Sequence, residues 1–173
     1  MSDSSSIQIP PAGTYPLDPQ ASSIGFSTKH MFGLAGVTGT FRVISGEITI
    51  ADPVTDSTAS AVIDAGSFHT GLAARDKDVK SANFLHAEQH PQITFASTDV
   101  ARDDDRWLVR GQITVRGNSA PAELVVTELR TDESGLFLKA TTRVDRYAQG
   151  LTKKKGLAAR FLDLTITAHA TRG

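Results

Sequence analysis

Residues 107–116 read WLVRGQITVR, and the spacing of side chains in this stretch decides the fold class. The odd-numbered positions are apolar or glycine, whereas the even-numbered positions are polar apart from Leu108. An alternation with a period of two is typical of a β-strand that has one face buried and the other in water. The stretch therefore predicts an amphipathic strand.

The same period recurs along most of the chain. Eight strand candidates are 22–31, 36–50, 57–65, 92–99, 106–117, 120–130, 135–146 and 160–170. A change of phase at Ser45-Gly46 predicts a bulge or sharp bend inside a long strand. Only residues 66–90 interrupt the rhythm; there, 72–81 fits a short helix and 83–88 a further helical turn.

Short connections between successive strands favour an antiparallel meander, because parallel pairing needs a long crossover at each step. Eight such strands form either a closed barrel or a two-sheet sandwich. Several candidates are long, and long, twisted, bulged strands favour closure, which also removes exposed sheet edges. The pattern therefore predicts an all-β protein built as a closed eight-stranded antiparallel barrel with a short helical insert between strands 3 and 4.

Small residues occupy many positions on the apolar phase of these strands. They are Gly39, Gly46, Ala59, Ala61, Gly111, Ala140 and Ala168. A solid core needs larger side chains to reach the usual interior packing density of about 0.74. The small residues therefore favour an apolar tunnel, and a filled barrel with residues 66–90 as a lid remains the alternative.

Composition excludes several classes of function. The chain has 173 residues, enough for one domain that buries about two-thirds of its unfolded surface. It contains no cysteine, which excludes a disulfide scaffold, a thiol nucleophile and a Cys-based metal site. Its 18 basic and 19 acidic residues give no bulk electrostatic reason to bind nucleic acid.

The N-terminal stretch predicts a flexible tail over residues 1–13, followed by a single domain over residues 14–173. Residues 2–6 are rich in Ser, and Pro10-Pro11 precedes the first apolar pattern. The stretch has neither the basic residues nor the apolar run of about 7–15 residues that a signal peptide needs. We therefore expect a cytoplasmic location for the chain as given.

A series of short motifs follows in order along the chain. They are Leu17-Asp18-Pro19 with Ser22, Phe26 and His30; Gly39-Thr40-Phe41 with Gly46; Ile63-Asp64-Ala65-Gly66-Ser67 with Thr70-Gly71; Arg75-Asp76 with Phe84; Pro91-Gln92-Ile93-Thr94-Phe95 with Ser97; Gly111-Gln112-Ile113-Thr114 with Gly117; and Arg146 with Gly150. Their order and spacing over residues 14–170 resemble the YceI-like family. Asp78 and Val79 depart from its usual pattern, as does Asn83-Phe84-Leu85, which stands where the family has paired phenylalanines.

The resemblance implies a lipocalin-like barrel that binds a long polyisoprenoid lipid, of the isoprenoid quinone or polyprenyl phosphate class, for sequestration or transport. We expect no enzyme activity, no metal and no cofactor beyond the bound lipid, because the sequence shows no Ser/His/Asp order, phosphate loop or pair of carboxylates. An enzyme that acts on a small hydrophobic substrate, with His30 as acid or base, is the alternative. An adaptor that binds a partner through Leu108 or Phe137 on its outer wall is a third hypothesis.

The candidate site residues form two groups. The expected apolar lining is Ile24, Phe26, Phe41, Ile48, Ile63, Phe84, Phe95, Trp107, Val109, Ile113, Leu138 and Leu164. The candidates for contact with a head group at the mouth are His30, Arg75, Asp76 and Arg146. A structural bridge is the alternative role of Arg75 and Asp76, and a hydrogen bond to a backbone carbonyl is that of His30.

The expected partner is an isoprenoid lipid and not nucleic acid. The basic run 153–155 reads as a solvated loop or as a rim that attracts an anionic head group or membrane surface. Transient membrane contact and a dimer are left open. The spacing of His86 and His90 suits a metal only on a continuous helix, which Pro91 argues against.

Overall fold

The computed structural model describes residues 7–28, 36–153 and 160–171. These residues form nine strands, one α-helix and a 3₁₀ turn at Val54–Asp56. The strands are β1 Gly13–Pro16, β2 Ser23–Ser27, β3 Thr38–Ile50, β4 Thr58–His69, β5 Gln92–Asp103, β6 Arg106–Val115, β7 Asn118–Asp132, β8 Gly135–Asp145 and β9 Phe161–Ala170. The helix α1 spans Ala73–Lys80.

The strands close into an eight-position antiparallel barrel, which confirms the predicted fold. Neighbours run in the order β3-β2-β9-β8-β7-β6-β5-β4, and pairing of β3 with β4 completes the ring. The short strand β1 shares a position with β2, because the two pair with successive parts of β3. The helix α1 lies between β4 and β5, the third and fourth of the predicted strands.

A phase change predicted in β3 is a bulge in the structure. The register between β3 and β4 shifts between Val43 and Ser45, and again between Thr40 and Arg42. At the second shift the Ser67 hydroxyl accepts a hydrogen bond from the Arg42 N–H at 2.7 Å and donates one to the Asp64 carbonyl at 2.6 Å. Side-chain bonds thus replace the strand pairing that the bulge interrupts.

Two predictions for residues 66–90 are wrong in detail. Strand β4 continues to His69 instead of ending at residue 65. Residues 83–88 form turns and not a helical turn, because His86 has φ of 48°, in the left-handed region that a right-handed helix excludes. Among the described residues, no helix has the length and hydropathy to cross a bilayer.

One end of the barrel is packed shut, and we call it the closed end. Tyr15, Ile50, Leu129 and Leu136 meet there in a cluster of buried side chains. The Tyr15 hydroxyl donates a hydrogen bond to the Pro11 carbonyl at 2.7 Å. Connections 51–57, 104–105 and 133–134 lie at this end, whereas residues 17–22 join β1 to β2 alongside residues 43–46 of β3.

The residues just before β1 contact this closed end. Ile7 forms a bridge with Leu129 and packs against the closed-end cluster, and the Gln8 N–H donates to the Leu129 carbonyl. The division into a tail over residues 1–13 and a domain over residues 14–173 stays a prediction. Residues 7 and 8 lie on the tail side of this boundary and contact Leu129 on the domain side.

The opposite end of the barrel is covered by the segments that connect the strands rather than by side chains of the strands themselves, and we call it the mouth. Residues 70–91, 116–117, 146–153 and 160, which lie in connections between strands, are at this end. Leu85 and Leu151, from two of these connections, join Phe26, Phe68 and Ile113 in a second buried cluster. The two ends of the barrel are therefore built differently.

Candidate functional site

The barrel encloses a cavity of about 210 Å³ whose walls present apolar atoms. A protein cavity of about 150 Å³ lined by Leu, Ile and Phe stays dry and binds benzene. The cavity here is larger and equally apolar, so a flexible hydrocarbon chain suits it better than water does.

Nine of the twelve predicted lining residues lie on the cavity wall. They are Ile24, Phe41, Ile48, Ile63, Phe95, Val109, Ile113, Leu138 and Leu164. They come from seven of the nine strands, because the alternate positions of each strand face the interior. This geometry agrees with the predicted lining and does not by itself identify a ligand.

The other three predicted lining residues lie away from the cavity. Phe26 stacks on Phe68 with ring centroids 5.2 Å apart, near the mouth. Trp107 packs against the closed-end cluster, and Phe84 is buried beside the Arg146 guanidinium, 5.6 Å from its ring centroid. Alternation places a strand residue inside the barrel but does not give its height along the axis, and Phe84 lies outside the strands.

The wall also contains residues that sequence reasoning missed. Further apolar members, besides the alanines, are Leu17, Leu85, Ile93, Val115, Leu124, Val126, Val144, Leu151, Leu162 and Ile166. Most strand members share the apolar phase of residues already proposed, and Leu124 and Val126 follow the alternation of β7, from which no lining residue was proposed. Leu17, Leu85 and Leu151 lie in connections between strands, where no periodicity indicates an inward side chain.

The small inward residues serve two different purposes. Ala59, Ala61, Ala140 and Ala168 lie on the cavity wall, as the tunnel prediction requires. Gly39 and Gly111 instead make room for protein side chains, because a Cβ at either position would lie under 3 Å from the ring of Phe26 or Phe95. The inference from small residues to free space is therefore right for the alanines and wrong for these two glycines.

Two polar side chains border the cavity at the mouth. Arg146 is 5% exposed, and its Nη1 donates hydrogen bonds to the carbonyls of Leu151 and Lys153, the latter at 2.9 Å. Burial lowers the pKa of the Arg146 guanidinium from its usual value. Gln149 is 3% exposed, and its Oε1 has no hydrogen-bond partner among the described residues. Burying a carbonyl oxygen without a hydrogen bond costs free energy. The Gln149 side chain therefore leaves a polar acceptor at this end of the cavity.

Arg75 and Asp76 form a structural bridge at the start of α1. Asp76 is buried and accepts hydrogen bonds from the Thr70 N–H at 3.0 Å and from the Thr70 hydroxyl at 2.5 Å. The Thr70 hydroxyl also accepts a bond from Arg75 Nε, and His69 Nδ1 lies 3.6 Å from the carboxylate. The Thr70 hydrogen bonds lower the pKa of Asp76 below its usual value. Neither Arg75 nor Asp76 borders the cavity.

The remaining predicted residues stand as follows. His30, the candidate acid or base, lies outside the described residues. Leu108 is 2% exposed and not available to a partner, and Phe137 lies beneath the Arg130 guanidinium at 4.1 Å. The rings of His86 and His90 meet edge to face, and the described residues contain no group of three side chains suited to a metal ion.

Comparisons with known proteins agree with this architecture. The family model described as the YceI-like domain matches residues 15–170. Protein YceI of Escherichia coli O157:H7 is 33% identical over 117 residues, which cover 65% of this chain and 60% of that protein. The matches span between 55% and 60% of the length of these curated relatives.

Solved structures show the same fold at low sequence identity. BcnA of Burkholderia cenocepacia superposes with a TM-score of 0.77 at 20% identity and covers 88% of this chain and 98% of its own. A polyisoprenoid-binding domain from Saccharophagus degradans, implicated in plant cell wall breakdown, gives a TM-score of 0.68 at 17% identity, over 92% of this chain and 98% of its own.

Proposed function

Because the chain belongs to the YceI-like domain family, we propose that it binds a long-chain polyisoprenoid lipid in its barrel cavity and sequesters or transports it. The ligand is of the isoprenoid quinone or polyprenyl phosphate class. The apolar cavity of about 210 Å³, shut at one end, is the observation that carries this proposal. The similar fold of a polyisoprenoid-binding domain supports it.

The energetics of burial favour such a ligand. Each buried CH₂-sized group contributes about 0.8 kcal/mol, so a five-carbon isoprene unit contributes up to roughly 4 kcal/mol before ordering costs. A few units inside the cavity therefore suffice for tight binding. A long isoprenoid exposes the same apolar surface to water when it is free, which is the physical reason for a carrier.

The polar end of the cavity sets the direction of the ligand. The buried cluster at the closed end consists of apolar side chains and Tyr15, whose hydroxyl already donates a hydrogen bond to the Pro11 carbonyl. Arg146 and Gln149 lie at the mouth. A polar head group loses less hydration there than at the closed end. The hydrocarbon tail therefore points toward the closed end, with the head group beside the mouth.

The proposed activity is binding without chemistry. The enzymatic alternative depends on His30, which lies outside the described residues, and the described cavity wall contains no His, Asp, Glu or Lys that could act as a base. The carrier needs only an apolar wall and a route through the mouth.

A cavity-filling variant tests the proposal. Ala140 is fully buried on the cavity wall, so Ala140→Leu adds side-chain volume inside the ligand space. Geranylgeraniol and decylubiquinone serve as probes in a competition assay. We expect Ala140→Leu to weaken both by roughly tenfold or more, because the new side chain displaces several CH₂-sized groups of ligand.

The matched control is Thr141→Leu, the next residue of β8, which is exposed on the outer wall. It leaves binding unchanged if the ligand lies inside the barrel. Native mass spectrometry of the purified chain then reports whether an isoprenoid copurifies. Equal binding by both variants and the parent, or no binding of either probe, contradicts the proposal.

A further inference from the structure

The connections at the two ends of the barrel carry opposite charge, although the whole chain has a net charge of only −1. The described mouth connections (70–91, 116–117, 146–153 and 160) contain seven Lys or Arg and three acidic residues, a net charge of +4. The described closed-end connections (51–57, 104–105 and 133–134) contain five acidic residues and no Lys or Arg. The five are Asp52, Asp56, Asp104, Asp105 and Glu133.

Exposed apolar side chains accompany the positive charge at the mouth. Leu72, just before α1, is 53% exposed, and Phe161, at the first position of β9, is 42% exposed. The guanidinium of Arg160 lies 5.0 Å from the Phe161 ring centroid. Lys77 on α1 and Lys153 are exposed at the same end. Apolar side chains set among cations are typical of surfaces that lie on anionic membranes.

We propose that the mouth of the barrel docks on the surface of a bilayer that contains anionic lipids, with the closed end facing water. The positive connections are attracted to the surface, and the acidic closed end is repelled by it. Leu72 and Phe161 enter the interfacial region once the mouth is in contact. The charge separation therefore fixes the orientation of docking as well as its location.

The choice of a lipid surface rests on the proposed function, because an isoprenoid resides in bilayers and has to cross between bilayer and cavity. Docking by the mouth places the connections that cover the cavity against the membrane. The ligand then passes between two apolar environments with little exposure to water. An anionic protein partner would satisfy the charge but gives no reason for exposed Leu72 and Phe161 to flank the mouth.

Vesicle binding with site-specific labels tests the orientation. The chain contains no cysteine, so Leu72→Cys and Thr55→Cys each introduce a single thiol, at the mouth and at the closed end respectively. Each variant is labelled with an environment-sensitive fluorophore and mixed with vesicles of phosphatidylcholine alone or with phosphatidylglycerol added. We expect a blue shift only for the mouth label and only with phosphatidylglycerol. A shift at the closed end, or equal shifts with both vesicles, overturns the proposal.

Charge removal tests the electrostatic contribution. Lys77→Gln with Lys153→Gln removes two positive charges at the mouth, and we expect a loss of roughly 25-fold in the partition coefficient, about fivefold for each residue. The matched control, Arg106→Gln with Arg130→Gln, removes two positive charges from strand ends at the closed end. It keeps vesicle binding at the parent level or above. Equal losses in the two variants contradict docking by the mouth.

The test separates this proposal from the proposed function. Vesicle binding is measured without isoprenoid, and uptake of geranylgeraniol is measured in detergent without vesicles. Uptake without docking refutes the membrane proposal alone, and docking without uptake refutes the carrier function alone. Soluble polyglutamate is added as a competitor; if it binds as well as the anionic vesicles do, the surface recognises anionic polymers and the membrane proposal is wrong.

Discussion

Gly111 of β6 is crowded by the neighbouring strand β5. A Cβ at this position would lie too close to the Ala96 carbonyl oxygen and 2.8 Å from the ring of Phe95. We expect Gly111→Ala to lower the free energy of unfolding by about 1–3 kcal/mol, because the ring and the backbone have to move apart. Urea denaturation monitored by circular dichroism measures the change.

Gly25 of β2 is the matched control for this substitution. Its Cβ would meet only the Gly39 carbonyl, at 3.9 Å. Gly25→Ala therefore leaves stability unchanged or raises it by about 0.5 kcal/mol through the unfolded-state entropy of glycine. Similar losses for the two variants would show that the close contacts with Ala96 and Phe95 are not the cause.

Asp76 makes the mouth helix sensitive to acid. The Thr70 hydrogen bonds lower the pKa of Asp76 from the usual 3.8. Because the folded-state pKa lies below the unfolded one, the carboxylate stabilises the fold above pH 3.8, and this contribution is lost as pH falls through the folded value. We expect amide hydrogen exchange in α1 to speed up relative to that in the barrel strands as the pH falls from 3.8 through the folded-state pKa of Asp76.

The variant Asp76→Asn removes this dependence on pH. Its α1 amides exchange faster than those of the parent at neutral pH, and the ratio of α1 to barrel exchange no longer changes with acid. Asp105→Asn, the same chemical change in the connection between β5 and β6, serves as the control. An acid response that persists in Asp76→Asn assigns the effect to another group.

At the scale of elements, the connections at the mouth and the strand ends at the closed end contribute differently to binding. Leu85 is buried in the connection after α1 and borders the cavity. We expect Leu85→Ala to accelerate dissociation of geranylgeraniol, because it opens a gap in the segment that covers the mouth. Stopped-flow displacement by excess unlabelled ligand measures the dissociation rate.

Leu136 of β8 is the control at the other end. It is 2% exposed in the closed-end cluster and does not border the cavity. Leu136→Ala costs about 2–5 kcal/mol of stability, the usual range for this substitution in a core. At temperatures where it stays folded, its dissociation rate matches that of the parent. Faster dissociation from Leu136→Ala alone would place the route of ligand exchange at the closed end.

The sequence predicts these elements where periodicity is long enough to be informative. The eight strand candidates are all present, because alternation over many residues reports a buried and a solvated face. The four residues of β1 are too few to show a period beside Pro10-Pro11. The turns at 83–88 depend on the positive φ of His86, which no sequence pattern announces.

The candidate site can be predicted from the sequence only where the alternation of strand residues is informative. Alternation identifies inward residues such as Val109 and Ile113 but not their height, so it assigns Trp107 to the cavity although it packs at the closed end. The register between β5 and β6 brings Phe95 against Gly111, and register is set by bulges and turns that sequence reading locates poorly. The lack of a hydrogen-bond partner for the buried Gln149 Oε1 among the described residues can be recognised only from the folded structure.

For the whole molecule, the closed end sets an upper limit on how much of a ligand the barrel can bury. The cavity of about 210 Å³ ends against the Tyr15 cluster, so a growing chain fills it and then extends through the mouth. Affinity for a series of prenyl alcohols, from geraniol through farnesol and geranylgeraniol to longer members, should therefore rise steeply and then level off. The early rise reflects up to roughly 4 kcal/mol per added isoprene unit, reduced by ordering costs. Competition binding in detergent measures the series, and Ala140→Leu, which shortens the available space, should reach the plateau at a shorter chain. An affinity that does not depend on chain length, or a plateau that Ala140→Leu leaves in place, would mean that the hydrocarbon lies outside the barrel.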